Sequence, residues 1–194
     1  MYAEHEFNTS TFAARVATST GTDFYSAIVA AIATLRGPLH GGANEAAMKL
    51  INSFKNVESV EKGIHELLAK KSLVMGFGHR VYKESDPRTP IIKSLALRLT
   101  HTHHEDSKFL IAEKIEEILW KEKQLFPNLD FYSALVFHYL GIPASFFTPI
   151  FVISRLSGWS AHIMEQRAHN RLIRPNAKYI GPAIKDYVLL KDRE

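Results

Sequence analysis

Apolar positions along this 194-residue chain recur mostly at intervals of three or four, and alternation of apolar and polar positions does not persist anywhere. Spacing of three or four puts side chains on one face of an α-helix, whereas alternation indicates strands. The pattern therefore predicts an all-α fold. Helices are expected at residues 7–20, 23–35, 44–54, 57–68, 89–101, 107–124, 130–141 and 149–169, followed by an irregular tail from Arg171.

For three of these helices the sequence also predicts burial or the residue at the N-cap. Residues 23–35 are apolar on nearly every side, which is typical of a buried helix. Asn44 is predicted to cap the next helix, because asparagine accepts hydrogen bonds from the free N–H groups at a helix start. In the last helix, Thr148 and Pro149 are predicted to be the N-cap and the first helical residue.

The composition is that of a globular protein, with 46% hydrophobic and 23% charged residues. The chain contains no cysteine, which excludes disulfides and thiolate metal sites and fits a reducing, cytoplasmic location. The first residues lack the pattern of a secretory signal, and no apolar run approaches the roughly 18 residues that a membrane span needs. We therefore expect neither secretion nor a membrane span.

The net charge of +4 is compatible with nucleic acid or with small polyanionic ligands as partners. The basic residues do not concentrate on one predicted helix, so a basic helical nucleic-acid-binding module is the weaker alternative. The histidine-rich segment 101–106 resembles a metal-binding cluster, but it lacks two ligands spaced by four residues on one helix. We interpret it as an exposed polar connector.

The stretch Leu73–Arg88 combines a glycine turn with a histidine and an arginine. A Gly-Phe-Gly turn at residues 76–78 is followed directly by His79, and nine residues later by Arg88. Glycine lets a ligand approach the main chain, histidine can donate a proton, and arginine binds carboxylates. The stretch predicts either a site that polarises a carboxylated substrate or a glycine-rich connector with exposed polar residues.

Three further residues admit a structural and a functional interpretation. His40 precedes a predicted helix, whose positive dipole end would keep the ring neutral and able to donate one hydrogen bond; otherwise it caps a glycine turn. Asp130 is either a helix N-cap or a general base whose pKa is raised by apolar neighbours. Arg155 interrupts an apolar helix and so needs a carboxylate partner or a ligand.

Taken together, these residues resemble the citrate synthase family. The resemblance runs through the whole chain in the family's order, and its segment from Phe147 to Pro175 is most similar to bacterial 2-methylcitrate synthases. The matching blocks, which begin at residues 3, 37, 76, 86, 127, 147 and 173, are AEHEFN, GPLHGGANE, GFGH, DPR, PNLD, FTPIFVISR and IRP.

The resemblance implies an enzyme that condenses propionyl-CoA or acetyl-CoA with oxaloacetate, giving 2-methylcitrate or citrate and free coenzyme A. It implies that Asp130 removes the α-proton of the thioester and that His40 stabilises the resulting enol or enolate. His79 would polarise the ketone of oxaloacetate and protonate the alkoxide that forms. No metal and no cofactor other than the coenzyme A thioester substrate is implied.

The resemblance also implies how the substrates bind. Arg88 and Arg155 would bind the carboxylates of oxaloacetate, and His5 would add a hydrogen bond. Arg174 would be supplied by the second subunit of a homodimer. Independently of the resemblance, Arg174 is the best anion-binding candidate in the tail, because Pro175 restricts the backbone beside it. The main chain that would face coenzyme A belongs to Gly76, Phe77 and Gly78.

The implied architecture is a complete small domain at residues 42–141, with parts of a large domain at 1–41 and 142–194. Family members are considerably longer, so the N-terminal half of the family's fold would be absent and the chain truncated. We therefore expect weak stability, self-association, and slow turnover or none. The alternative is a catalytically inactive fragment that acts only as a subunit-interaction module.

Overall fold

The computed structural model describes residues 1–103 and 107–193, apart from the side chains of residues 102 and 103. Within these ranges the chain forms eight α-helices and no strand, so the predicted all-α class is confirmed. The tail after residue 168 is irregular apart from a short 3₁₀ helix near its end. The helices are α1 (Thr9–Ser19), α2 (Phe24–Leu35), α3 (Ala43–Asn52), α4 (Glu58–Ala69), α5 (Thr89–His103), α6 (Ser107–Lys123), α7 (Leu129–Tyr139) and α8 (Phe147–Ala168).

The larger hydrophobic core lies among α3 to α7, where α7 packs against α3 and α5, and α4 packs against α6. The apolar side chains spaced by three or four residues along one face of α6 are all buried, and each such burial contributes roughly 1.5–3 kcal/mol. These side chains are Ile111, Ile115, Ile118 and Leu119.

A second hydrophobic core lies among α1, α2 and α8, centred on the fully buried Trp159. The N-terminal segment crosses α8 at Gly158, where a Cβ atom would collide with the main-chain oxygen of Ala3 and the carboxylate of Glu4. Glycine is therefore required at this crossing, which brings residues 2–5 against the helix that carries Arg155.

Helix α2 is buried on one face only, so the prediction of a helix buried all round is wrong. Ala27, Ala31 and Leu35 are fully buried against α1 and α8. On the other side Tyr25 is 80% and Val29 is 63% exposed. Apolar composition alone could not tell which faces of the helix have neighbours.

The predicted N-cap at Asn44 is also wrong. Helix α3 begins at Ala43, with Gly42 as the N-cap residue, because the preceding turn winds directly into the helix. Asn44 is consequently already in the first turn, where it is fully buried and its side-chain oxygen accepts from the backbone nitrogen of Glu45.

Helix α8 starts two residues before the predicted first residue, Pro149. A 3₁₀ helix at Ala144–Phe146 leads into it, so that Phe147 is the first α-helical residue. Thr148 is therefore not the N-cap; its hydroxyl donates to the carboxylate of Glu45 on α3. This bond joins the start of α8 to the helix that follows His40.

No helix within residues 1–103 and 107–193 is long and apolar enough to cross a membrane. Of the segment 101–106, interpreted above as a polar connector, residues 101–103 form the end of α5 and residues 104–106 lie outside the described residues. His101, the part of it with a described side chain, is exposed.

Candidate active site

A cleft of about 750 Å³ opens between the N-terminal segment, the glycine loop and the starts of α3, α7 and α8. Most of the site residues that the sequence predicts line this cleft. Arg174 is the exception: it is exposed on the tail, where it forms a long hydrogen bond of 3.5 Å to Asn176. The nominated residues that line the cleft are His5, His40, Gly76, Phe77, Gly78, His79, Arg88, Asp130 and Arg155.

The glycine loop is shaped by its two glycines and fixed by the segment before α7. Gly76 and Gly78 have φ angles of 88° and 70°, which other residues rarely adopt. Added at Gly76, a Cβ atom would also lie 3.0 Å from the Cβ atom of Phe131. Backbone hydrogen bonds of 2.8 Å from Gly78 to Phe126 and 2.9 Å from Asn128 to Gly76 hold the loop in place.

His79 is held in one tautomer by the turn that follows it. Its Nδ1 accepts from the backbone nitrogens of Val81 at 3.1 Å and Tyr82 at 3.2 Å. Burial, together with the charge of Arg88, lowers the pKa of the ring, which favours its neutral form. Since Nδ1 is an acceptor, the single hydrogen of the neutral ring is on Nε2, which makes that nitrogen a donor.

Tyr82 contacts three of the nominated residues, although sequence reasoning missed it. Its hydroxyl lies 3.0 Å from Nε2 of His5, and its ring centroid lies 4.6 Å from that of His79. The guanidinium carbon of Arg88 lies 5.8 Å from the centre of the same ring. The signal available in the sequence was its place three residues after His79, within the same turn.

Arg88 is anchored by a two-point ion pair with Asp86, in which Nε and Nη2 lie 2.9 and 2.7 Å from the carboxylate oxygens. Asp86 also accepts from the backbone nitrogen of Leu129 at 3.0 Å. Burial opposes ionisation of Asp86, but these hydrogen bonds keep its pKa below the ordinary value. The pair therefore fixes Arg88 relative to the start of α7.

Arg155 is a buried cation without a carboxylate in hydrogen-bonding contact among the described residues. Its side chain is only 2% exposed, Nε donates to the main-chain oxygen of Tyr2, and the guanidinium carbon lies 4.9 Å from the ring centre of Phe151. Its Nη1 is buried with no hydrogen-bond partner in the described part of the chain. A guanidinium in this state can be satisfied by an anionic ligand.

Asp130 does not cap α7, because that role belongs to Asn128, whose side-chain oxygen accepts from the backbone nitrogen of Asp130 at 3.0 Å. The carboxylate instead lines the cleft. Burial raises its pKa to about 6, against the lowering effects of a 2.6 Å hydrogen bond from Tyr2 and of the charge of Arg88. A carboxylate with such a pKa can accept a proton near neutral pH.

His40 is neutral for a different reason from the expected helix dipole. Burial, followed by the positive charge of Arg155, lowers the pKa of the ring to about 4. Its Nε2 lies 2.9 Å from the hydroxyl of Ser10, which also accepts from the indole nitrogen of Trp159 at 3.2 Å. The hydroxyl of Ser10 itself donates to the side-chain oxygen of Asn8 at 2.8 Å. When this hydrogen turns to Nε2 of His40 instead, the ring hydrogen lies on Nδ1 and is available to a ligand.

Comparison with known sequences identifies one family across most of the chain. The family described as citrate synthase, C-terminal domain, matches residues 1–176. Citrate synthase 2 of Bacillus subtilis is 51% identical over 100% of this chain and 52% of its own length. The 2-methylcitrate synthase of Shewanella oneidensis is 47% identical, again over 100% of this chain and 52% of its own.

A solved structure shares the fold. It is the ternary complex of carboxymethyl coenzyme A and oxaloacetate with citrate synthase from the thermophilic archaeon Thermoplasma acidophilum. It matches with a TM-score of 0.91 and 42% identity, covering 99% of this chain and 52% of that one. The chain thus spans about half the length of the curated relatives that it matches. On the family match, these identities and the shared fold, the chain belongs to the citrate synthase family.

Proposed function

We propose that this chain carries the condensation site of a citrate synthase-type enzyme, which joins propionyl-CoA or acetyl-CoA to oxaloacetate and releases 2-methylcitrate or citrate with free coenzyme A. One observation carries the proposal. A carboxylate with a raised pKa, two neutral histidines and a buried, incompletely bonded arginine line one cleft. A thioester and a keto dicarboxylate need such groups if they are to be joined.

The first half of the reaction forms a carbon nucleophile. Asp130 takes the proton from the carbon next to the thioester carbonyl, and the electron pair of that C–H bond moves into the enolate. With the hydrogen of Ser10 turned to Nε2, His40 donates a hydrogen bond from Nδ1 to the thioester oxygen, where negative charge develops. A neutral histidine suits this role, because its weak acidity is closer to that of the enol than the acidity of imidazolium would be.

In the second half the enolate carbon attacks the ketone carbon of oxaloacetate. The new C–C bond turns the ketone oxygen into an alkoxide, and His79 gives it the proton from Nε2. The proton that Asp130 took from the thioester then restores the neutral ring of His79 and the ionised carboxylate. Arg88 and Arg155 bind the carboxylates, with a further hydrogen bond from His5. Water then hydrolyses the thioester, which leaves the tricarboxylic acid and the thiol of coenzyme A.

The remaining assignments belong to the same proposal. Coenzyme A runs along the main chain of residues 76–78, and Arg174 reaches the site from the second subunit of a homodimer. The larger hydrophobic core supports a small domain at 42–141, and the core among α1, α2 and α8 supports large-domain parts at 1–41 and 142–194. A cytoplasmic location fits this metabolic role, and the mechanism uses no metal, further cofactor or nucleic acid.

Propionyl-CoA is the substrate that we favour, accepted at least comparably with acetyl-CoA. The chain's relatives include both citrate and 2-methylcitrate synthases at similar identity. One methylene group in an apolar pocket changes selectivity by only about 1–3 kcal/mol, so the two substrates are expected to overlap.

The test is an assay of thiol release by the purified chain with oxaloacetate and either acyl-CoA. We expect release that requires oxaloacetate, that is slow, and that Asp130→Asn removes. A chain that pairs with a full-length relative yet releases no thiol alone or in that pair would instead be an interaction module. DNA binding at micromolar protein that falls steeply with salt, without thiol release, would favour the nucleic-acid-binding alternative.

A further inference from the structure

Tyr2 makes a side-chain hydrogen bond to Asp130 and a main-chain hydrogen bond to Arg155. Its hydroxyl lies 2.6 Å from Oδ1 of Asp130 and 2.6 Å from the hydroxyl of Ser133. Its main-chain oxygen accepts from Nε of Arg155. One residue thus contacts both the carboxylate and the incompletely bonded cation of the cleft, although its distance from them in the sequence gives no hint of this.

The direction of these hydrogen bonds follows from the single hydrogen on the phenol. Burial and the neighbouring carboxylate raise the pKa of Tyr2, so the phenol stays protonated. An ionised Asp130 can only accept, and the phenol therefore donates to it. The hydroxyl of Ser133 donates to the main-chain oxygen of Leu129 at 2.8 Å. When it turns to the phenol oxygen, 2.6 Å away, it polarises the phenol and strengthens the bond from the phenol to Asp130.

The ring of Tyr2 is held independently of its hydroxyl. Its centroid lies 4.3 Å from that of Phe151 on α8 and 6.3 Å from that of Phe137 on α7. Such aromatic contacts fix the ring plane by packing alone. Replacing tyrosine with phenylalanine therefore removes the hydrogen bond while leaving the ring in place.

We propose that Tyr2 is a positioning residue for Asp130: its phenol holds Oδ1, so that Oδ2 is the oxygen that takes up a proton at the cleft. The role in catalysis rests on the proposed function above, whereas the hydrogen bond and its effect on Asp130 do not. Holding one carboxylate oxygen fixes the direction of the other, as proton transfer from a carbon acid requires.

The hydrogen bond has a measurable effect on the proton equilibrium of Asp130. The phenol stabilises the ionised carboxylate and so lowers the pKa that burial raises. Removing the phenol should move this pKa upward by about one unit, a tenfold change in the proton-binding constant, as expected for a hydrogen bond to a charged group. At pH 7 a smaller fraction of Asp130 would then be ionised.

The experiment is an NMR titration of the full chain labelled with ¹³C in the aspartate carboxyl groups, in which the Asp130 signal is identified by its loss in Asp130→Asn. In Tyr2→Phe we expect its midpoint to rise from about 6 by about one unit. The matched control is Tyr132→Phe, which removes another tyrosine hydroxyl bonded to a carboxylate, that of Glu116. It should leave the Asp130 midpoint unchanged.

A second variant keeps the inference testable should Tyr2→Phe fail to fold. Ser133→Ala removes the donor behind the phenol and should raise the Asp130 midpoint in the same direction by a smaller amount. An Asp130 midpoint that moves in neither folded variant would overturn the positioning role.

The acid limb of the pH–kcat profile should shift upward with the titration in Tyr2→Phe, with activity largely recovered at high pH. A purely structural role would lower kcat equally at all pH values. Absence of thiol release with a shifted titration would refute the proposed function while leaving the hydrogen bond established. Thiol release with an unshifted titration would support the proposed function and refute the positioning role of Tyr2.

Discussion

The side-chain nitrogen of Asn128 donates to the main-chain oxygen of Gly78 at 2.9 Å. The side-chain oxygen of the same asparagine caps α7 by accepting from the backbone nitrogen of Asp130. One amide therefore joins the loop that ends in His79 to the helix that carries the proposed base. This side chain therefore acts with the backbone hydrogen bonds between the glycine loop and residues 126–128 to set the distance between the two halves of the site.

Replacing Asn128 should affect both stability and turnover. Asn128→Ala removes a cap worth about 0.5–2 kcal/mol together with the bond to the loop, so both the melting temperature and kcat should fall. The control is Asn56→Ala, since Asn56 accepts from the backbone nitrogen of Ser59 at the start of α4, away from the cleft. It should lower stability similarly and leave kcat unchanged; an equal loss of kcat in both would contradict the linking role.

Catalysis should have one acid limb between pH 5 and 8. Asp130 must be ionised to accept a proton, and its pKa is about 6, so log kcat/KM should rise with unit slope below that pH and level off above it. His40, with a pKa of about 4, stays neutral across this range and adds no limb. A midpoint near the ordinary carboxyl value would contradict the raised pKa of Asp130.

The ionised carboxylate of Asp130 should destabilise the folded chain at neutral pH. Its folded-state pKa of about 6 lies above the ordinary 3.8, so the folded chain binds this proton more tightly and stability is lost as pH rises from about 4 through 6. An asparagine side chain at this position would carry no charge to bury. Asp130→Asn should therefore be more stable than the unmodified chain by about 1–3 kcal/mol at pH 8, and of similar stability at pH 4.

The comparison for this stability test is Asp23→Asn. Asp23 caps α2, and hydrogen bonds from Ser26 lower its pKa, so its ionised form stabilises the folded chain. Its replacement should reduce stability at pH 8 and have less effect as pH falls through the carboxyl range. Urea unfolding at both pH values measures the two differences, and the same sign in both variants would refute the burial argument.

Tyr82 should contribute to oxaloacetate binding through His5. Tyr82→Phe keeps the ring near His79 and Arg88 but removes the hydroxyl at 3.0 Å from His5. The loss of one neutral hydrogen bond predicts a roughly 2- to 12-fold weaker oxaloacetate affinity by calorimetric titration. Tyr25→Phe, on the exposed side of α2, should leave the affinity unchanged; equal affinities in all three proteins would remove Tyr82 from the site.

The sequence alone predicts the all-α fold class, the approximate positions of the helices and most of the residues that line the cleft, because these features leave local signals. Helical periodicity identifies α6, and an arginine within an apolar helix draws attention to Arg155. Tyr2 leaves no such signal, and Tyr82 leaves only its place three residues after His79. Their roles depend on contacts made by the fold: Asp130 is 128 residues from Tyr2, and His5 is 77 residues from Tyr82.

The local errors have a related cause. Residue type alone predicts N-caps at Asn44 and Thr148, whereas the preceding turns wind directly into α3 and α8 and move the helix starts upstream. For α2, the exposed face could not be foreseen from composition, because burial depends on which neighbours the fold provides.

The most direct test of the central claim compares oxaloacetate affinity with turnover in two variants of the cleft. Asp130→Asn should cut kcat by roughly 10²-fold or more and leave the Kd for oxaloacetate nearly unchanged, because the base does not bind the dicarboxylate. Arg155→Leu should raise that Kd, because a charge-assisted contact is lost, while Arg98→Leu on the exposed side of α5 should not. An equal loss of oxaloacetate binding in the Asp130 and Arg155 variants would contradict the division of roles.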